Sequence, residues 1–179
     1  MTAGATATMG RDSFWDFSLR IYARRDVPPA CLALQDEGGA DVNLVLFLLY
    51  LADCGRMLDD AQVAALDEAT RDWREQVVKP LRGVRRLLKD DIGAFATDAT
   101  TPLRSDVKRI ELAAEKLQQF TLETLAPPDS AGAAATSRRL AAATHLASYA
   151  ARCGNWPEDA LHVLVDAWAD DAAARGTLD

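Results

Sequence analysis

The chain has 179 residues, of which 49% are hydrophobic and 26% charged, and its 20 Lys and Arg against 27 Asp and Glu give a net charge of −7. That length and balance suit one folded domain with a real core and exclude a chain that is disordered throughout. The acidic excess argues against a general nucleic-acid binder, which needs spare cations for phosphates.

Aromatic residues make up 7%, glycines number only 10, and alanine is frequent, which favours helices over an all-β fold. Cys31, Cys54 and Cys153 form no CxxC pair, a pattern of reduced intracellular thiols rather than of a disulfide framework. Residues 1–10 carry neither a basic n-region nor an apolar h-region, so no signal peptide is read there. The longest apolar run, Leu44 to Ala52, is about half of what crosses a bilayer. A soluble, cytoplasmic, bacterial-type protein with no membrane contact is expected.

In chain order, residues 1–11 read as a disordered tail and 12–126 as the main helical domain. Asp12-Ser13 offers an N-cap to a first helix, where Phe14, Phe17 and Ile21 recur at helical spacing with Trp15 and Tyr22, ending near Ala23. Pro28-Pro29 opens a second helix and Gly38-Gly39 closes it. Asp41 caps a third, Val42 to Cys54, stopped by Gly55 and apolar on nearly every side, hence central to the core. Asp59 and Gln62 make a capping box for a long segment whose stripe is Val63, Leu66, Thr70, Trp73, Val77, Leu81, Val84 and Leu88. Pro80 should kink or split that helix near Lys79.

Gly93 to Thr101 reads as a loop and Pro102 as the start of the next helix, with Leu103, Val107, Ile110, Ala114, Leu117, Thr121 and Leu125 as its packing face. A linker is expected at 127–134. Beyond it, 135–179 should form a helical pair packed on the main domain, anchored by Leu140, Leu161, Leu164 and Trp168. No stretch alternates as a half-buried strand would. The fold class is therefore all-α, a single compact bundle of about six to seven helices.

One segment stands out chemically. Lys79, Arg82, Arg85, Arg86 and Lys89 place five cations in eleven residues of an acidic chain, on a face expected to lie opposite Leu81, Val84 and Leu88. Guanidinium forks bind carboxylates and phosphates bidentately. The plainer account pairs them with the chain's own acids and the helix C-terminus. Around the Gly38-Gly39 turn stand Gln35, Asp36, Asp41 and Asn43, either as caps or as carboxylate partners for Arg82 or Arg86. His145 and His162 lack the spacing of a metal set, and Cys31 has no histidine near it in sequence, so neither metal nor nucleophile is read there. No phosphate-cradling glycine loop or nucleophile elbow occurs, so no cofactor is expected.

Three blocks together resemble an uncharacterised family of small proteobacterial helical proteins. They are Phe14-Trp15-Asp16-Phe17-Ser18-Leu19 with Tyr22; Ala30-Cys31-Leu32-Ala33-Leu34-Gln35-Asp36 running through Gly39-Ala40-Asp41-Val42-Asn43-Leu44; and Val77-Val78-Lys79-Pro80-Leu81-Arg82 with Arg85-Arg86-Leu87-Leu88-Lys89. The resemblance covers about residues 13–90, with Tyr50 where a Trp is expected in many relatives. It implies a shared fold unit containing both polar constellations, and no catalytic residues.

Two functions of different class follow. One is a non-enzymatic interaction or adaptor protein with a protein partner. The other is a module for a small anionic molecule, enzymatic or not, held between the turn residues Asp36, Asp41 and Asn43 and the basic face, with Trp15 and Tyr22 nearby. Convergence of two of Arg82, Arg85 and Arg86 with Trp15 or Tyr22 on one pocket would favour the second.

Overall fold

A computed structural model describes residues 13–128, 133–134 and 137–178; the expected tail and the middle of the expected linker lie outside the described residues. Helix α1 (Phe14–Tyr22) starts where Ser13 accepts the Asp16 amide. Helix α2 (Val27–Asp36) carries its prolines in the first turn, where a missing N–H costs no helical bond. Gly39, with φ of 67°, makes the left-handed turn into α3 (Val42–Asp53), which Asp41 caps through the Asn43 amide. Leu44 to Leu49 are all buried, and α1, α2, α6 and α7 pack around α3. Phe14, Phe17, Phe47 and Tyr50 stack between α1 and α3 with ring centroids 5.0–6.1 Å apart.

The capping box of Asp59 and Gln62 forms and starts α4 (Asp60–Trp73). The rod continues past Pro80, but its regular α-helical winding is interrupted just before Lys79, close to where a kink or split is expected. A π-turn, Arg74–Val78, joins α4 to α5 (Lys79–Leu87), and the Lys79 amide bonds to the Arg74 carbonyl five residues back. Proline lacks the N–H that the carbonyl four residues earlier would accept, and its ring presses on that carbonyl; a widened turn just before it relieves both problems. The extra residue rotates everything beyond it. Val78 is buried and Arg82 and Arg85 turn partly towards the bundle; of the expected stripe, Val77 and Leu81 are half-buried and Val84 is exposed. No residue of α5 is buried; Leu88, one residue beyond it, is.

Helix α6 (Thr97–Leu125) begins five residues before Pro102, because Asp91 accepts from both the amide and the hydroxyl of Thr97 and holds the first turn from outside. Its buried face is Val107, Glu111, Ala114, Gln118, Gln119 and Leu122. The expected face is only partly used: Leu103, Ile110, Leu117 and Leu125 are exposed. The neighbours explain the choice, since they present Ser18, Asn43, Arg82 and Arg85 to α6, and polar groups out of water need polar partners.

Strands β1 (Arg56–Met57) and β2 (Ala133–Ala134) pair antiparallel, Arg56 opposite Ala134 and Met57 opposite Ala133. A two-residue ladder is too short to show in an alternating pattern, and it falls at the end of the expected linker. Helix α7 (Arg138–Ala150) lies on α3 and α4, and α8 (Glu158–Ala174) on α2. Leu164 and Trp168 anchor them as expected, but Leu140 is exposed and Leu146 and Tyr149 take its place. His145 is wholly buried. Its Nε2 accepts the Leu58 amide at 2.8 Å, which leaves Nδ1 to donate to the Leu48 carbonyl at 3.1 Å. Burial holds its pKa below the ordinary value despite that carbonyl. The chain is an all-α bundle, with seven helical rods among the described residues when α4, the π-turn and α5 are taken as one.

Candidate functional site

Helices α1, α2, α3, α5 and α6, the turn before α3 and the π-turn line an open cavity of about 360 Å³. Its floor is a chain of buried polar groups. Ser18 donates to Gln119 at 2.9 Å, Gln119 to Asn43 at 2.8 Å, Asn43 to Gln118 at 3.1 Å and Gln118 to the Asp41 carboxylate at 2.5 Å. Asp41 also accepts from Arg74 at 3.2 Å, and Arg74 reaches Asp67 at 2.8 Å. Asp67 therefore serves Arg74, while Arg71 pairs with Glu68. The Asp41 amide donates to the Tyr149 hydroxyl at 3.0 Å, tying the floor to α7. Apart from Arg74–Asp67, each link joins segments distant in sequence, and each of these buried polar side chains has a partner.

The polar wall is α5 against α6. Arg85 grips Glu111 with Nε and Nη2, and Arg82 donates Nε to Glu111 at 3.1 Å and Nη2 to Glu115 at 2.7 Å. Glu111 thus receives three N–H bonds and Glu115 one. Burial raises the Glu111 carboxyl, but Arg85 and Arg82 outweigh it and hold it below the ordinary range. At Glu115 burial prevails: its pKa is raised, with Glu111 and Asp41 adding repulsion against the pull of Arg82.

The apolar wall is Trp15, Leu19 and Tyr22 from α1, Cys31 and Leu32 from α2, Leu46 from α3 and Leu112 from α6. The Lys116 ammonium lies 4.7 Å from the Trp15 ring centroid. Burial pushes the Cys31 thiol up to about 12, so it stays protonated at neutral pH. The lining holds five cationic side chains, Arg74, Lys79, Arg82, Arg85 and Lys108, against three carboxylates, Asp41, Glu111 and Glu115. That sign is opposite to the chain's net charge.

Of the residues singled out in the sequence, Trp15, Tyr22, Asp41, Asn43, Lys79, Arg82 and Arg85 line this one cavity. Asp36, Arg86 and Lys89 do not. Arg86 meets Asp36 in a two-pronged pair at 2.8 Å, outside the lining and open to water. Burial slightly opposes ionisation of Asp36, but the bonds from Arg86 and Gln35 prevail and its pKa falls. The basic cluster is thus divided, with Arg82 and Arg85 inside and Arg86 outside. Glu111, Glu115, Arg74, Lys108 and Gln119 were missed. Glu111 and Glu115 carried a signal, four residues apart on one α6 face with Gln118 and Gln119 continuing it.

Fold and site define an all-α domain with a cationic, half-apolar cavity between its helices. Residues 13–122 match the family described as a protein of unknown function (DUF2390), and the chain belongs to that family. The match extends past the 13–90 resemblance and takes in every element that lines the cavity. No curated protein and no solved structure matches the chain. Among the described residues, no helix is long and apolar enough to cross a membrane, and no three His, Cys, Asp or Glu side chains are grouped to hold a metal ion.

Proposed function

We propose that this protein binds a small organic anion with an apolar body. The observation that carries the reading is the convergence of Arg82 and Arg85 with Trp15 and Tyr22 on one cavity of about 360 Å³. That volume lies near the lower end of the range for small-molecule sites, about 300–1,000 Å³, and the lining has their composition, apolar walls with few directed polar groups. Lys108, an exposed residue of the lining with no ion-pair partner among the described residues, steers anions inward.

The test is quenching of Trp15 fluorescence by aryl and alkyl carboxylates and phosphate monoesters, each compared with its neutral amide or alcohol. Anions should saturate the signal and their neutral counterparts should not, the Trp15→Phe chain should lose it, and Lys108→Gln should weaken it. No saturable signal from any anion would sink the reading. A second reading, an interaction protein, draws on the exposed row Leu103, Ile110, Leu117 and Phe120 along α6. It would gain if Ile110→Lys abolished association with another protein while anion binding stayed intact.

A further inference from the structure

We propose that Arg82 is the group that receives the ligand's acid, and that Glu115 is the carboxylate displaced from it, taking up a proton from solvent as the ligand binds. This rests on the binding reading above and names the class of ligand, an organic acid bound as its anion.

The argument starts from which lining cation can accept a new partner. Arg85 spends both of its facing N–H groups on Glu111, a residue 5% exposed. Arg74 is held by Asp41, Asp67 and Glu75, and Lys79 by Glu75. Lys108 is unpaired but exposed, so it attracts without orienting. Arg82 is different. Its Nε bonds to Glu111, while its Nη2 makes one bond to Glu115, and both Arg82 and Glu115 line the cavity. An incoming carboxylate or phosphate can take that bond by exchange.

Exchange leaves Glu115 beside two anions, Glu111 and the ligand, without its cation. The groups around it decide its state: Tyr22 from α1, Asp41 from the turn, Arg82 and Arg85 from α5 and Glu111 on its own helix, with Cys31 of α2 beside Tyr22 in the same lining. Tyr22 and Cys31 are neutral at physiological pH, and Arg85 is already gripping Glu111. A half-buried carboxylate that has lost its partner next to like charges takes a proton. The protonated Glu115 then has an O–H to donate to the ligand's second oxygen, so the acid is held between Arg82 and Glu115. The balance is one anion in, one proton from water onto Glu115, and no change in the charge of the complex.

The test uses the full chain and 3-phenylpropanoate as probe, followed by calorimetry in two buffers of different ionisation heat between pH 6 and 8. The expected result is proton uptake approaching one per ligand and an affinity falling by up to about tenfold per pH unit as pH rises. Glu115→Gln, a permanent stand-in for the neutral acid, should bind with no proton uptake and a flat pH profile, and at pH 8 more tightly than the native chain. Arg82→Gln should lose binding, with far-UV circular dichroism confirming that it is folded. Native binding without uptake, or uptake that survives Glu115→Gln, overturns the exchange while leaving the binding reading intact. No heat from any acid in any variant defeats the binding reading itself.

Discussion

Glu111→Gln tests how α5 is held to the bundle. Helix α5 buries no residue of its own, so its attachment relies on charge-assisted bonds, and Glu111 receives three of them. The glutamate side chain is 6% exposed and those of Arg82 and Arg85 are 17% and 25% exposed. A pair this dry lies near the buried end of the scale, where removing one partner strands the other charge at about 3–5 kcal/mol, against about 0–1 for an exposed pair. Water at the guanidinium tips puts the expected loss at about 3 kcal/mol, or roughly 6–12 °C of melting temperature for a chain of this size. Urea unfolding of Glu111→Gln, Arg85→Gln and the double variant gives the coupling directly. Because the folded pKa of Glu111 lies below its ordinary value of 4.5, its contribution is present above 4.5 and is lost as pH falls through the folded value. The variant should lack that part of the native acid slope. Arg86→Ala, which breaks a pair open to water, should cost only about 0–1 kcal/mol. A loss below 1 kcal/mol for Glu111→Gln would refute the clamp.

Phe47 is wholly buried with its ring tilted against Phe14 at 5.0 Å between centroids, so Phe47→Ala should cost about 3–5 kcal/mol in denaturant; less than about 1 would place α3 outside the core. A Cβ added at Gly38 would sit 2.7 Å from the Leu34 carbonyl oxygen and 2.8 Å from Trp156 Cδ1, so Gly38→Ala should cost about 1–3 kcal/mol. Gly83→Ala, with open space around it inside α5, should instead gain about 0.5–1, and equal effects of the two in thermal unfolding would contradict the packing of α2 against Trp156. His145 is neutral in the fold with its pKa below 6.5, so its share of stability is present above 6.5 and is lost as pH falls through the folded value. An imidazole resonance of His145 titrating at or above 6.5 in the folded chain would contradict this.

The caps were legible because they are local. Ser13, Asp41 and the Asp59–Gln62 box each serve an amide within three residues, and all three form. The position of α3 was legible because a helix apolar all round has only one place to go. The start of α6 was not, since the group that holds it, Asp91, stands outside the helix and six residues upstream. Nor was its buried face, because the apolar row 103–110–117 satisfies the periodicity equally well. What selected the other face was the polarity of α1, α3 and α5, a property of neighbours distant in sequence.

The same logic accounts for the site. Read as one uninterrupted α-helix, residues 60–88 bury Leu81 and Val84 and turn Arg82 and Arg85 to water. The π-turn before Pro80 adds one residue to the rod, so that Val84 is exposed while Arg82 and Arg85 are half-buried beside Leu81. Apolar side chains in that place would have packed against α6 and closed the space between the helices. Half-buried guanidinium groups there need carboxylates opposite them, and Glu111 and Glu115 of α6 supply them. A π-turn inside a long helix is a feature often found at functional sites. Here its physical effect is specific: it turns Arg82 and Arg85 towards α6, whose Glu111 and Glu115 pair with them.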